Sequence, residues 1–398
     1  DTDFGSSITA IIGPPDGTVF TVLDKITYPD SSATKFEYND YLQVKKVSSI
    51  AADSSSHVLN YVATNLSSPS SGQTDCPRFT ETRSWVENFN QNSSGTAQEV
   101  VIPNSFTTNQ QYTLPTGGTA TGNLVQITSP DGTVEKTFTG NTGWRDGLPI
   151  ATETWANINS TLTKKRWTWT DYTQDDVNLS YIKNPRVIES KIGDTENSFI
   201  RRTTIDYWTS YGLTKEVKVY DIDQTTVLKK SYTEYNLDAA YTSRRIIGLP
   251  SLSEAHGKND QTQSLDFVSK VTYAYDEENF TIEPNQNISS VIQHDNTNYS
   301  ASFITGRANL TSTTRHDVTG QTASVTSRTR YDIAGSPVAK LDPLNRKVAI
   351  NYTDSFNDTV ARNSFAYPTT LTDPANNSST VKYRYDIGAN VEAISPAP

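Results

Sequence analysis

Apolar and polar residues alternate over short runs along this chain, with a period of two. In residues 215–220 the alternation places Val217 and Val219 on one side of an extended segment. In 328–331 and 382–385, aromatic and long basic side chains alternate in the same way. A period of two is typical of a β-strand with unlike faces. No run has the 3.6-residue period of a three-turn helix, so the pattern predicts an all-β protein with essentially no helix.

Turn signals separate these runs. Segments 14–17, 129–132 and 145–147 carry Asp-Gly, and Asp342-Pro343 and Asp373-Pro374 carry Asp-Pro. These residues favour chain reversal because Asp hydrogen-bonds the nearby backbone, Gly accepts positive φ and Pro fixes φ. The rhythm of strand and turn therefore predicts an antiparallel sheet.

A tyrosine–aspartate unit recurs along the chain and is its clearest internal repeat. Tyr331-Asp332 is followed after about 21 residues by Tyr352. A recurring unit has one buried face that only the next unit can cover, which predicts a stacked repeat structure. We expect the tyrosine to pack and the aspartate to turn the chain, with Gly335 or Gly388 completing the reversal. The predicted repeat signature consists of Tyr220, Asp221, Tyr275, Asp276, Tyr331, Asp332, Gly335, Asp342, Pro343, Tyr352, Asp373, Pro374, Tyr385 and Asp386.

The two halves of the chain show the repeat with different clarity. Residues 1–199 are predicted to form an irregular β region with degenerate repeats. Residues 200–398 are predicted to form a Tyr-Asp-repeat β region that is continuous with the first. Methionine is absent, including at position 1, so we expect this chain to be an internal piece of a longer protein, truncated at both ends.

Tyr331-Asp332, the segment 342–346 (Asp-Pro-Leu-Asn-Arg) and Tyr385-Asp386 resemble the YD repeats of bacterial Rhs proteins. That family is related in architecture to toxin-complex shells and animal teneurins. Segment 242–250, Thr-Ser-Arg-Arg-Ile-Ile-Gly-Leu-Pro, also resembles the body of large Rhs proteins. The resemblance is specific over 200–398, fair over 1–60 and weak between. It implies a long antiparallel sheet that spirals into an elongated or shell-like body.

The resemblance also implies a role. In the family, the repeats commonly enclose a toxic C-terminal domain, which implies a non-enzymatic body that encloses or presents an effector. The implied location is extracellular or at the bacterial cell surface. The implied partners are the protein's own C-terminal effector domain or neighbouring repeats of a longer parent chain. The chain lacks the family's C-terminal core motif, self-cleavage site and variable toxin tail, so encapsulation is an analogy with the family.

Composition and charge narrow the range of partners. The 398 residues are 34% hydrophobic, and 21 Tyr, 13 Phe and 6 Trp supply rings for one face of an extended sheet. A net charge of −10 and a pI near 5.0 argue against nucleic acid as a partner, because phosphate binding needs a basic surface. The sequence contains no run of about 18 apolar residues, so it does not predict a membrane-spanning segment. Cys76 is the single cysteine, which excludes an intrachain disulfide.

Motifs of known catalytic chemistry are missing from the sequence. It contains no Gly-x-Ser-x-Gly elbow, no phosphate-binding glycine loop, no His-Glu-x-x-His and no cysteine pair. The four histidines share no ligand spacing. His316 occupies the tyrosine position of a degenerate repeat, where packing or exposure is expected and not chemistry. We therefore predict no enzyme activity, no metal and no cofactor.

One aromatic cluster suggests an alternative function. Within 166–172, Trp167 and Trp169 fall on the same side of a predicted strand. Both rings either line the packed side of the sheet or stack on sugars, as in an extracellular adhesive or carbohydrate-binding scaffold. A third alternative is self-association into filaments through unpaired strand edges. Surface glycans and further copies of the chain are thus candidate partners beside the effector domain.

Overall fold

The computed structural model describes residues 19–38, 42–53, 57–66, 79–115, 117–196, 199–277, 293–319 and 323–396. The regular secondary structure of these residues is almost entirely antiparallel β-sheet, which confirms the predicted all-β fold. Helical structure in the described segments is confined to a 3₁₀ turn at Gly143–Arg145 and one short α-helix, α1, at Ala239–Thr242. Cys76 and the turn signal at 14–17 lie outside the described residues.

The chain divides into two compact units, Asp1–Arg202 and Thr203–Pro398. The sequence predicted a boundary between residues 199 and 200. In the first unit, each strand pairs antiparallel with the next one in the chain. Its strands are β1 (Lys25–Thr27), β2 (Ala33–Tyr38), β3 (Val44–Ile50), β4 (Val58–Leu66), β5 (Phe79–Val86), β6 (Val100–Thr113), β7 (Thr119–Thr128), β8 (Val134–Thr139), β9 (Pro149–Ile158), β10 (Thr161–Thr173) and β11 (Arg186–Asp194).

The second unit has the same meander arrangement. Strand β12 (Phe199–Tyr207) contains the division between the units, and its part from Thr203 onward pairs with β13. Every later strand pairs antiparallel with its successor. These strands are β13 (Thr214–Tyr220), β14 (Val227–Tyr235), β15 (Pro250–Lys258), β16 (Leu265–Tyr275), β17 (Leu310–His316), β18 (Ser324–Tyr331), β19 (Pro337–Leu341), β20 (Lys347–Asn351), β21 (Thr370–Thr372), β22 (Ser378–Tyr383) and β23 (Asn390–Ile394).

Buried apolar side chains form a small core in the first unit. Tyr112, Leu124, Phe138 and Ala151, here called the core cluster, come from β6, β7, β8 and β9. The rings of Tyr112 and Phe138 lie 5.0 Å apart between centroids. Because successive strands contribute one residue each, the cluster joins four strands on one side of the sheet. This packing explains how a chain with little apolar content stabilises extended strands.

A β-bulge accompanies a tyrosine at the end of many strands. In the β18–β19 pair, Arg330 faces Ala339 but Tyr331 faces Pro337, so Val338 is the extra residue. Val338 is only 1% exposed. A bulge bends the strand pair and increases its twist, so the same local bend recurs along each unit. The tyrosines at such register shifts are Tyr38, Tyr172, Tyr207, Tyr220, Tyr235, Tyr275, Tyr331 and Tyr383.

Candidate functional site

A tyrosine closes the open end of several hairpins, and this contact is the physical basis of the repeat. At the end of β18, the Tyr331 hydroxyl donates a 2.8 Å hydrogen bond to the carbonyl of Leu310, the first residue of β17. In an antiparallel pair, the end of one strand lies beside the start of the strand before it. The side chain therefore adds one more hydrogen bond where the backbone ladder stops. We call this contact the tyrosine clasp.

The tyrosine clasp occurs in both units, and its acceptor lies at or just before the start of the preceding strand. Four of the six acceptors are proline carbonyls. The distances span 2.7 to 3.2 Å, which is ordinary hydrogen-bond geometry. The six donor–acceptor pairs are Tyr38–Leu23, Tyr172–Pro149, Tyr275–Pro250, Tyr331–Leu310, Tyr352–Pro337 and Tyr383–Pro368.

Three turns begin with an aspartate of the repeat signature, and all three have the same pattern of hydrogen bonds. Asp332 Oδ1 accepts from the backbone N–H groups of Ala334 and Ser336, each at 2.9 Å. Gly335 follows with φ of +85°, a conformation that glycine adopts without steric cost. The turns that start at Asp342 and Asp373 repeat these bonds two and four residues on. Pro343 and Pro374 each occupy the second turn position, where a fixed φ is favourable.

Asp332 differs from the other two turn aspartates in its burial. It is 1% exposed, and its Oδ2 atom is buried without a hydrogen-bond partner. Burial raises the pKa of Asp332 above 3.8, although backbone bonds from Ser336, Ala334 and Gly335 act in the opposite direction. A buried carboxylate is therefore maintained here at some cost to stability.

Asp276 holds a loop that is distant in the sequence. Its carboxylate accepts hydrogen bonds from four consecutive backbone N–H groups, those of residues 306–309, at 2.8 to 3.0 Å. Its own backbone N–H donates to the carbonyl of Asn309 at 2.9 Å. Consecutive backbone N–H groups that converge on one point form an anion-binding nest. Here the anion is the side-chain carboxylate of Asp276 itself. The segment in which a hairpin turn after Asp276 would lie, residues 278–292, is outside the described part of the chain, so the turn expected there stays a prediction.

The last repeat is displaced by two residues from its predicted place. Strand β22 ends at Tyr383, and Tyr383, not Tyr385, makes the tyrosine clasp. Tyr385 is 51% exposed, with its ring edge against Phe356. The side chain of Asp386 pairs with Arg384 at 2.7 Å, so its hydrogen bonds differ from those of Asp332. The reason is that the turn already begins at Arg384, whose carbonyl accepts from Gly388.

Tyr220 and Asp221 mark the end of β13 in another variant of the turn. The Tyr220 hydroxyl lies 3.3 Å from the Thr204 hydroxyl of the neighbouring strand. Asp221 hydrogen-bonds Thr226 through its backbone, while Asp223 Oδ1 accepts from the N–H groups of Thr225 and Thr226. The carboxylate that organises this turn is thus two residues beyond the predicted one.

The two tryptophans of the aromatic cluster have separate packing roles. Trp167 lies directly opposite Gly193 of β11, and a Cβ added to Gly193 would lie 2.0 Å from Trp167 Cε2. An aromatic ring that covers a glycine in the facing strand stabilises the pair. Trp169 packs against the core cluster, with the Lys191 ammonium 5.6 Å from its ring centroid. Both rings are therefore engaged within the sheet, and glycan stacking stays a prediction.

Acidic and basic side chains pair on one face of the second unit. The strand register places Glu216, Tyr232, Glu254, Lys270 and His316 side by side across five strands, and we call this set the charged row. Glu254 pairs with Lys270 at 3.1 Å, and Glu216 pairs with lysines on β13 and β14. Burial would raise the pKa of Glu254, but the bonds from Lys270 and His256 lower it below 4.5. The charges of this face thus compensate one another locally.

The described residues contain neither a cluster of metal ligands nor a membrane-spanning helix. Among the described residues, no three His, Cys, Asp or Glu side chains are grouped so as to hold a metal ion. Within the same part of the chain, no helix has the length and apolar character needed to cross a membrane. The four histidines lie apart. They contact Asp53 and Glu87 (His57), Phe267 (His256), Ile333 and Asn296 (His294), and Thr272 (His316).

Comparison with solved structures supports the fold. The crystal structure of TcdB2-TccC3-TEV matches 97% of this chain with a TM-score of 0.50 at 10% sequence identity. The crystal structures of TcdB2-TccC3-Cdc42 and of TcdB2-TccC3 without its hypervariable C-terminal region each match 95% of it, with TM-scores of 0.39 at 10% identity. Each match covers 26% of the other chain, so this chain spans about a quarter of their length. No protein-family model and no curated protein matches the sequence.

Proposed function

We propose that this chain is a non-enzymatic structural repeat body of a secreted or surface-exposed bacterial protein of the Rhs type. In this proposal its sheet forms part of a shell or scaffold that encloses or presents an effector domain. The partner is either the effector domain of the same parent chain or the neighbouring repeats of that chain. The repeat residues act by maintaining the sheet, and no residue performs chemistry.

The repeated hairpin is the observation that carries this proposal. The tyrosine clasp closes hairpins in both units, and the fold match to TcdB2-TccC3-TEV extends over 97% of the chain. A chain built of one local unit used many times is typical of an extended body, because each unit contacts mainly its neighbours. The likeness of the repeats to those of Rhs proteins supplies the link to effector enclosure.

Two further features support a wall-like role. The β-bulges at the clasp tyrosines Tyr275, Tyr331 and Tyr383 bend the strand pairs β16–β17, β18–β19 and β22–β23, and a sheet that curves around an enclosed space requires such bends. The charged row pairs its acids and bases within the sheet, as in Glu254 with Lys270. A surface whose charges are already paired offers few unsatisfied groups to an enclosed polypeptide, so it holds cargo without binding it tightly.

Cryo-electron microscopy of the protein isolated from its native source tests this proposal, because the parent chain and any assembly are retained there. We expect a curved sheet that surrounds additional density. A paired measurement is limited proteolysis of the same material, in which an enclosed effector resists cleavage until denaturant opens the sheet. An open strand stack, with every other domain cut at once while the repeats stay intact, would contradict enclosure and favour an adhesive or filament-forming scaffold.

A further inference from the structure

A small cavity lies at the open end of the β13–β14 hairpin in the second unit. Its volume is about 220 Å³. An apolar cavity of about 150 Å³ is large enough for benzene, so this one can hold a single ring with a short side chain. The residues that line it are Trp208, Leu213, Glu234, Tyr235 and Leu237.

The acceptor of a tyrosine clasp follows from the strand register. It is the residue that faces the last tyrosine of the preceding hairpin. Leu310 faces Tyr275 and accepts from Tyr331. In the next hairpin, Pro337 faces Tyr331 and accepts from Tyr352. The register therefore identifies the donor and acceptor positions of a clasp in other hairpins of this unit as well.

The β13–β14 hairpin has both positions of a clasp but lacks the bond. Thr214 faces Tyr207 and so occupies the acceptor position, and Tyr235 ends β14 and so occupies the donor position. The Tyr235 hydroxyl makes no hydrogen bond with the described residues. Trp208 and Leu213 directly follow and precede the facing pair in the chain, and both line the cavity. The cavity thus lies where this hairpin is left unclosed.

The aromatic wall of the cavity is held in place by the protein. The backbone N–H of Trp208 donates to the Leu213 carbonyl at 2.8 Å, and its indole N–H donates to the Thr233 carbonyl at 2.9 Å. The edge of one ring meets the other in the Trp208–Tyr232 pair, with 6.2 Å between centroids. These contacts preform the wall, as in most small-molecule sites, and they use both N–H donors of Trp208.

Glu234 brings a negative charge without an ion-pair partner to this cavity. It accepts a 2.9 Å hydrogen bond from the Tyr232 hydroxyl, and it makes no ion pair within the described part of the chain. Glu216 and Glu254 of the charged row, in contrast, each pair with lysine. Glu234 and Tyr235 are half-buried, and neither has a side-chain oxygen that is both buried and without a partner. Their free oxygens are therefore accessible to a ligand.

The lysine beside the cavity is compensated by another acid. The Lys215 ammonium lies 5.0 Å from the Trp208 ring centroid and 3.4 Å from the Asp206 carboxylate. Its position beside the indole shows that a cation is tolerated there, as expected for the negative face of an aromatic ring. Since Lys215 pairs with Asp206, Glu234 retains its attraction for a positively charged ligand.

We propose that this cavity binds a small organic amine in its ammonium form, with one aromatic ring as its body. The ammonium group donates a charge-assisted hydrogen bond to the Glu234 carboxylate. The ring of the ligand packs among Trp208, Leu213 and Leu237. A carboxylic acid of the same size is repelled by Glu234, and a neutral ligand leaves its charge unpaired. This site is independent of the proposed shell function, and either can fail without the other.

A titration with benzylamine near neutral pH, where the amine is protonated, tests the site. The full chain is labelled with fluorotryptophan, and the ¹⁹F NMR signal of Trp208, assigned through Trp208→Phe, is followed. We expect a saturable shift of this signal. In Glu234→Gln the dissociation constant should rise roughly tenfold, because glutamine keeps an oxygen for the Tyr232 hydroxyl but loses the charge. The matched control is Glu135→Gln, an exposed glutamate of β8 in the other unit.

Two further ligands separate the charge from the apolar body. Benzyl alcohol has the ring without the charge, and methylamine has the charge without the ring. Each should bind at least roughly tenfold more weakly than benzylamine. Benzyl alcohol that binds as tightly would overturn the role of Glu234, and methylamine that binds as tightly would overturn the role of the apolar wall.

The variants give the remaining outcomes. Equal weakening by Glu234→Gln and Glu135→Gln would show only general attraction to negative charge and would overturn the site. A Trp208 signal that does not move with benzylamine in a folded chain, as judged by circular dichroism, would also overturn it.

Discussion

Tyr383 and Tyr385 offer a direct test of the tyrosine clasp. Both are tyrosines at the end of the same hairpin, and they differ by two positions in the chain. The Tyr383 hydroxyl donates to the Pro368 carbonyl at 3.0 Å, whereas the Tyr385 hydroxyl makes no hydrogen bond with the described residues. We predict that Tyr383→Phe destabilises the β21–β22 hairpin and that Tyr385→Phe does not.

The expected magnitude follows from the contacts that each substitution keeps. Phenylalanine at 383 retains the ring and its stacking on Tyr367 at 4.8 Å, so only the hydrogen bond is lost. Such a bond contributes about 0.5 to 1.5 kcal/mol. Pro368 is half-buried, so the loss should not reach the upper end of that range. We expect a loss of about 1 kcal/mol, which is roughly a fivefold increase in the local opening constant. The Tyr385 substitution should change stability by less than about 0.5 kcal/mol.

Amide hydrogen exchange in the native state is the appropriate assay. A chain with two compact units does not guarantee one unfolding transition, so a single melting temperature can miss a local change. Exchange measured on peptides that cover β21 and β22 reports the opening of this hairpin itself. Peptides from β2 and β3 in the other unit serve as an internal reference and should be unchanged.

The reasoning fails if Tyr385→Phe accelerates exchange in β21 and β22 as much as Tyr383→Phe does. It also fails if Tyr383→Phe leaves their exchange unchanged. The first outcome would mean that Tyr385 stabilises this hairpin as the signature tyrosine, as the sequence predicted. The second would mean that the hydroxyl contributes nothing beyond what water offers the same carbonyl.

Three further predictions concern single side chains. Burial raises the pKa of Asp332 above 3.8, so the folded state binds its proton more tightly and wild-type stability should fall as pH rises through that raised pKa. Urea titrations should show this dependence weakened in Asp332→Asn. The hydrogen bond from His57 to Asp53, followed in size by the one to Glu87, raises the pKa of His57 above 6.5. The stability that these bonds give the folded state is therefore fully present below pH 6.5 and is lost as the pH rises through the raised pKa. The NMR titration of His57 should shift toward 6.5 in Asp53→Asn. Trp169→Ala should cost about 3 to 5 kcal/mol in urea unfolding, because the ring packs on the core cluster; a loss below about 1 kcal/mol would refute that packing.

Local signals in the sequence were sufficient for the strands and for several turns. The turn at Asp332 could be predicted because its carboxylate and the N–H groups that it accepts lie within five residues of the chain. The same holds for the Asp-Pro turns at Asp342 and Asp373, where Pro also fixes the backbone. Alternation of side chains likewise predicted strands such as β13 and β18.

Features that depend on pairing with distant residues could not be predicted in this way. The clasp of Tyr383 depends on which residue begins the preceding strand, whereas the alternating pattern of 382–385 continues past the end of β22. The partners of Asp276 lie about 30 residues away, beyond any turn motif. For Trp169, a period of two gives its side of the strand but does not say which side the core covers.

The tyrosine clasp makes each of the six hairpins that carry it a self-closing module. Both partners of the bond lie in the same two strands or within two residues of their ends, as Tyr331 and Leu310 do in β17–β18, so the closure needs no residue from elsewhere in the chain. Duplication or deletion of one whole hairpin would leave the closing bonds of its neighbours intact, whereas gain or loss of a single strand would separate a tyrosine from its acceptor. Chains of this design can therefore change length during evolution in steps of two strands, and size variation among them should follow that increment.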